Sequence, residues 1–164
     1  MKPIFTLSAL ALCSGLAFSA QAEIVTHPIP NSDFPIAQAV EVTGDVTTFY
    51  VSGQVPPVID ADADGNSKAA FGDTRQQTIG VIERIKTILE ARDMALSDVV
   101  KMQVFLVGDP ELDGKMDFSG FMEGYKEYFG QGKAGLPARS AMQVAGLVNP
   151  GWLVEIEVTA VKDR

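Results

Sequence analysis

Hydrophobic and polar positions change period along this chain, and each change marks an element. From Glu23 to Phe34 no period holds. His27-Pro28, Ile29-Pro30 and Asn31-Ser32-Asp33 crowd prolines and turn formers together, which predicts an irregular N-terminal arm. Ala39–Thr43 then alternates through Val40 and Val42, Gly44-Asp45 is a tight-turn pair, and Thr47–Ser52 is rich in β-branched and aromatic residues. The three together predict a β-hairpin, ended by Gly53 and by Pro56-Pro57, which cannot continue a strand. Between Asp73 and Met94 the period becomes helical. Ile82, Ile85 and Leu89, widened by Val81 and Ile88, make an apolar stripe, Asp73 caps it, and Arg84, Lys86, Glu90 and Arg92 face water. Val99–Val107 alternates again, with Val100, Met102, Val104 and Leu106 opposite Lys101, Gln103, Phe105 and Val107. A second helix over Asp117–Phe129 turns Phe118, Phe121, Met122, Tyr125 and Phe129 inward and stops at Gly130-Gln131-Gly132.

The chain closes with a strand through Ala138–Val144, a turn at Asn149-Pro150-Gly151, and a strand from Trp152 to Val161. In the last strand Val154, Ile156, Val158 and Ala160 share one face, and Glu155, Glu157 and Thr159 the other. The order β-β-α-β-α-β-β predicts a two-layer α+β fold with both helices on one face of a mixed sheet. On this reading the face away from the helices collects Lys101, Gln103, Arg139, Gln143, Glu155 and Glu157 among Phe105, Val107, Leu153 and Val161. Such a face is too apolar to be fully wet and too charged to be a core. It suits association between subunits, with the charges at the seams.

The first 22 residues stand apart. Lys2, the apolar run Ile4–Phe18 and small residues at Ala20 and Ala22 have the form of a cleaved signal peptide, so export to a periplasm or the medium is expected for a single domain over 23–164. The apolar run is shorter than the roughly 20 residues a membrane span requires. No membrane association is expected of the mature chain. Cys13, the only cysteine, falls in this leader behind Leu12, which argues against lipoprotein processing. The remainder has no disulfide, thiol nucleophile or cysteine-based metal site to offer. A net charge of −8 without a basic run repels phosphate backbones and argues against a nucleic-acid partner.

Two local signals are weaker than they look. Asp60-Ala61-Asp62-Ala63-Asp64-Gly65-Asn66 matches the start of a calcium loop, but the ninth and twelfth positions are Lys68 and Phe71, and Pro56-Pro57 denies it an entering helix. A polar acidic loop is the expectation, with no metal assigned. His27, the only histidine, lies in the N-terminal arm and is read as solvated, which also leaves Ser52 without a base for acyl transfer.

Four stretches resemble one family. Leu136-Pro137-Ala138-Arg139-Ser140 is similar to the Pro-Ala-Arg-Ser signature of the RidA (YjgF) family, and Val154–Val161 to its Ile-Glu-Ile-Glu-Ala terminal strand. Val51-Ser52-Gly53-Gln54-Val55-Pro56 resembles its Ser-Gly-Gln-x-Pro strand end, and Pro35–Val40 its Pro-Tyr-x-Gln-Ala opening. The match runs in order from Pro35 to the end of the chain. The resemblance implies a chorismate-mutase-like fold, a homotrimer with sites in the clefts between subunits, and hydrolysis of reactive 2-imino or enamino acids to 2-oxo acids and ammonia. It implies that Arg139 binds the substrate carboxylate, that Glu155 is the catalytic group linked to the attacking water, that Ser52 and Gly53 line the site, and that no cofactor is needed. Three positions depart from the pattern: Ile36 replaces a Tyr, Ala141 a frequent Cys, and Met122 stands where a helix Asn is found. The loop from Pro57 to Gly72 is also longer than usual. These departures keep open a non-catalytic trimer that binds small carboxylates, or a holdase-like protein. Some relatives have been described as ribonucleases, a reading that the acidic charge and the single histidine do not support.

Overall fold

The computed structural model describes residues 22–164, so the expected leader lies outside the described residues except for Ala22. Nine elements follow in order: β1 (Glu23–Pro28), β2 (Ala37–Thr43), β3 (Val46–Gln54), α1 (Thr74–Glu90), β4 (Val99–Asp109), β5 (Lys115–Met116), α2 (Phe118–Tyr128), β6 (Ala138–Val144) and β7 (Val154–Asp163). The strands run β1-β2-β6-β4-β7-β3, with the two-residue β5 paired to the end of β4. β4 is central: it pairs parallel with β6, reached through α2, and antiparallel with β7. No helix among the described residues is long and apolar enough to cross a membrane.

Both helices begin beside the aspartates at which their predicted segments start. The Asp73 carboxylate accepts the Gln76 N–H at 2.8 Å and the Gln76 side chain accepts the Asp73 N–H at 3.0 Å, a reciprocal capping box. Asp117 accepts the Gly120 N–H at 2.9 Å at the head of α2. The helices approach closely through Gly124, where a β-carbon would fall 3.0 Å from both Arg75 O and Thr78 Cβ. That closeness fixes the α2 aromatics over the sheet. Val81, Ile82, Ile85 and Leu89 of α1, with Phe121 and Tyr125 of α2, are buried against Met102, Val104, Leu106, Val154, Ile156 and Val158, each contributing roughly 1.5–3 kcal/mol of burial for the aliphatic side chains.

The long loop before α1 is built rather than loose. Ala70 and Phe71 are buried, Gly151 packs against Ser67 O, and the buried Gln77 side chain donates to Gly72 O and Gly151 O and accepts from Leu153 N. Lys68, at the ninth position of the calcium-like stretch, instead reaches Asp109 at 2.9 Å and Glu111 at 2.6 Å. Burial works against both charges of the Lys68–Asp109 pair. The hydrogen bonds outweigh it, leaving Lys68 raised and Asp109 lowered from their ordinary values. Asp60 and Asp64 turn their carboxylates onto the Asp62 and Asn66 amides of the same loop.

Three expectations are corrected. The N-terminal arm is not irregular throughout, because Glu23–Pro28 forms β1 against β2 in antiparallel register; cross-strand pairing with an alternating partner overrides the proline. The predicted hairpin is not closed: β2 pairs with β1 and, at Ala37, with β6, while β3 pairs with β7 alone. The last two strands are likewise not neighbours, since β4 lies between β6 and β7.

Candidate functional site

The register across β4 decides which side chains can meet. Arg139 lies opposite Met102, which lies opposite Val158. Cross-strand partners point to the same side of a sheet, and Met102 and Val158 are buried under the helices. Arg139 therefore points toward α2. Glu155 lies opposite Phe105, as does Met142, and Glu157 lies opposite Gln103, as does Ser140. Those residues share the face away from the helices. The expectation that Arg139 and Gln143 join Glu155 and Glu157 on one face is thus overturned. The two strands take their parity separately from β4, which no period within either strand reveals.

Beside α2 the Arg139 guanidinium has a wall of rings. Its central carbon lies 4.3 Å from the Tyr125 ring centroid, 5.0 Å from Phe121 and 5.5 Å from Phe34. Such cation–π contacts are each worth about 0.5–2 kcal/mol. Nη2 donates to Met122 Sδ at 3.3 Å, a weak acceptor, and Nη1 is buried with no hydrogen-bond partner among the described residues. Burial draws the Arg139 pKa below its ordinary value, with Tyr125 acting in the opposite sense. Burial also pushes the Tyr125 hydroxyl up to about 12, against the pull of Arg139, so it stays a neutral donor, to Pro35 O at 2.8 Å. A guanidinium carries five N–H donors in a planar fork suited to a carboxylate. Here that fork is held by rings and a thioether and keeps donors free.

On the opposite face, Glu155 lies across the backbone of β3. A β-carbon on Gly53 would fall 1.9 Å from Glu155 Oε1 and 2.7 Å from its Cδ, so glycine is what admits the carboxylate. The pairing of β3 with β7 shifts register between Val51 and Gln54, and this irregularity carries Ser52 and Gly53. Ser52 lies with Tyr50, Lys101, Gln103, Glu157 and Thr159 around an open cavity of about 360 Å³. Of the expected site residues, Ser52, Gly53 and Glu155 thus fall on one face, and Arg139 on the other. Sequence reasoning missed Phe34; its only signal was an aromatic residue directly before the Pro35 motif. Tyr125 read as a core residue and is also a wall of the Arg139 site. His27 sits on exposed β1, 3.3 Å from Glu41.

An α+β chain with two helices on one face of a mixed sheet, and a buried arginine with an unmade donor beside the second helix, defines a protein of chorismate-mutase-like fold. Comparison with known proteins takes the assignment further. The family model described as Endoribonuclease L-PSP matches residues 30–162, and the chain belongs to that family, the RidA (YjgF) family. A RutC family protein of Pyrococcus abyssi is 38% identical over 144 residues, covering 88% of this chain and 99% of the relative. The 2-iminobutanoate/2-iminopropanoate deaminase of Salmonella typhimurium is 31% identical, covering 86% and 96%. Among solved structures, Escherichia coli TdcF with bound serine is 30% identical at a TM-score of 0.55, covering 85% and 97%.

Proposed function

We propose that this chain hydrolyses reactive 2-imino and enamino acids to 2-oxo acids and ammonia, with Arg139 anchoring the substrate carboxylate. The observation that carries the reading is the buried Nη1 of Arg139, which has no acceptor among the described residues. Leaving a charged donor unmade costs more than about 1–3 kcal/mol, and a ligand carboxylate would recover that energy through a two-point contact. The deaminase name of the Salmonella relative and the serine bound to TdcF support the same chemistry.

Arg139 and Glu155 point to opposite faces, so a site that uses both draws them from two copies of the chain. This favours sites between subunits, as in the homotrimer that the family resemblance implies. In that cleft Glu155 takes a proton from water as the water oxygen bonds to the imine carbon. The proton passes to the carbinolamine nitrogen, the C–N bond breaks, and ammonia leaves as Glu155 takes the hydroxyl proton and the carbonyl forms. Holding the water at attack distance contributes much of the rate, and no cofactor enters the scheme. Ser52 and Gly53 line the Glu155 side. The signal-peptide form of the first 22 residues supports a periplasmic or secreted location for this activity.

The test is release of ammonia or 2-oxo acid from imines generated in situ. Arg139→Ala should lose the acceleration, and a wild-type rate in that variant refutes the reading. The face separation also supports a second reading, a carboxylate-binding protein without turnover. Calorimetry showing 2-oxo acid binding that needs Arg139, with no acceleration of imine hydrolysis, selects it. Sedimentation analysis at assay concentration decides the trimer.

A further inference from the structure

We propose that Phe34 is the specificity-determining residue of the Arg139 site, selecting acids with a large apolar side chain over those with a second carboxylate. The inference rests on the carboxylate-binding reading above and concerns the part of the ligand beyond its carboxylate.

Three rings surround the guanidinium, but only one of them has surface left for a ligand. Phe121 and Tyr125 are 0% exposed, and the Met122 thioether beside them belongs to a residue that is 7% exposed. Phe34 is 41% exposed, while its ring centroid stands 5.5 Å from the central carbon of Arg139. A molecule whose carboxylate meets the unmade Nη1 donor therefore finds Phe34 as the one ring of the wall that it can cover.

Phe34 is exposed yet held. Pro35 after it confines its backbone to extended conformations. Its N–H donates to Ser32 Oγ at 3.2 Å, and its carbonyl accepts the Ile36 N–H at 2.8 Å. Pro35 O accepts the Tyr125 hydroxyl at 2.8 Å, and the Ala37 N–H donates to Pro137 O at 3.1 Å, two residues before Arg139. The segment carrying the ring is thus tied to α2 and to the residue before β6, the two elements that frame the guanidinium. An apolar side chain fixed in this way beside a charged donor is a preorganised surface for the apolar part of a ligand.

Charge sets the other half of the preference. Arg139 takes part in none of the ion pairs among the described residues, so one ligand carboxylate suffices to neutralise it. A second carboxylate would lose water against rings and a thioether, which is costly for a charge without a partner. Glu155, brought from a second copy in the proposed cleft, would repel it further. The wall therefore fits a 2-imino or 2-oxo monocarboxylate with a branched or aromatic apolar tail.

Calorimetry with pyruvate, 4-methyl-2-oxopentanoate and 2-oxoglutarate tests the inference. Wild type should bind 4-methyl-2-oxopentanoate about tenfold more tightly than pyruvate, the worth of roughly two buried methylene groups. It should bind 2-oxoglutarate no more tightly than pyruvate. Phe34→Ala should bring 4-methyl-2-oxopentanoate and pyruvate within about twofold of each other. Its affinity for pyruvate should change less than about threefold, the scale of one exposed cation–π contact. Phe34→Leu should keep the preference. Phe34→Lys, at an exposed position outside the buried core, should turn it toward 2-oxoglutarate. A wild type without preference, or wild-type ratios in both Phe34→Ala and Phe34→Lys, overturns the role of Phe34. If Arg139→Ala still abolishes binding of all three acids, the anchor stands in either case. Binding that survives Arg139→Ala overturns the anchor and this inference together.

Discussion

Gly53→Ala separates positioning of the Glu155 carboxylate from stability of the fold. The new β-carbon would fall 1.9 Å from Glu155 Oε1. Ordinary contact lies near 3.5 Å, so the carboxylate must retreat by roughly 1.5 Å. It can do so cheaply, because the clashing atoms are the far end of a flexible side chain, and Gly53 is not among the glycines with positive φ. Replacing an unstrained glycine by alanine alters stability by less than about 1 kcal/mol, in the stabilising direction. The melting temperature should therefore hold or rise slightly. Catalysis should not hold: a misplacement of about 1 Å costs on the order of 100-fold when the moved group aligns the reactants. In the in-situ imine assay the variant should release 2-oxo acid about 30- to 100-fold more slowly. Binding of a 2-oxo acid, which depends on Arg139 on the other face, should change little. Combining Gly53→Ala with Glu155→Gln should cost no more than Glu155→Gln alone, as expected for two changes acting through one group. A folded Gly53→Ala protein with the wild-type rate refutes the assignment of Glu155 to the reaction.

Three other outcomes follow from contacts described above. Arg139→Lys keeps the charge but loses the planar fork and much of its ring stacking, so calorimetry should find 2-oxo acid affinity down at least about tenfold. Asp109→Asn removes a buried carboxylate paired with Lys68 and should cost about 1.5–3 kcal/mol in urea unfolding near neutral pH. Since folding lowers the Asp109 pKa from 3.8, that contribution is present above its ordinary value and is lost as pH falls through the lower folded value; the difference between wild type and Asp109→Asn should shrink across that acid window. Asp73→Ala removes the capping box of α1 and should lower stability by about 1 kcal/mol, read as a fall in denaturation midpoint with little change in slope.

Much of the layer architecture was legible because helices and strands with one buried face write their period into the chain. Both helix starts followed from Asp73 and Asp117, and the β4 alternation predicted that Met102, Val104 and Leu106 meet the helices, whereas a register shift puts Val99 there in place of the expected Val100. What was not legible is pairing. Gly44-Asp45 between two alternating runs reads as a closed hairpin, yet which edge β2 occupies depends on competition between β3 and β6, a tertiary quantity that no local pattern contains. Likewise Pro28 marks a loop by composition, but a proline at a strand end needs no ladder hydrogen bond, and the preceding residues remain free to pair with β2.

The candidate site could be named residue by residue from the sequence but its geometry could not, and the reason lies in β4. Alternation within β6 puts Arg139 and Gln143 together, and alternation within β7 puts Glu155 and Glu157 together, but neither strand carries the offset between them. That offset is set where each meets β4, at Met102 for Arg139 and at Phe105 for Glu155, three residues apart and hence on opposite sides. The aromatic residues of α2 carry the missing signal in retrospect. A helix face with Phe121 and Tyr125 one turn apart offers a guanidinium a stacking surface. The same opposition makes a site containing both groups impossible within one copy and natural between two. The family resemblance implied an intersubunit cleft, and the register supplies a physical reason that a single subunit cannot bring the two groups together.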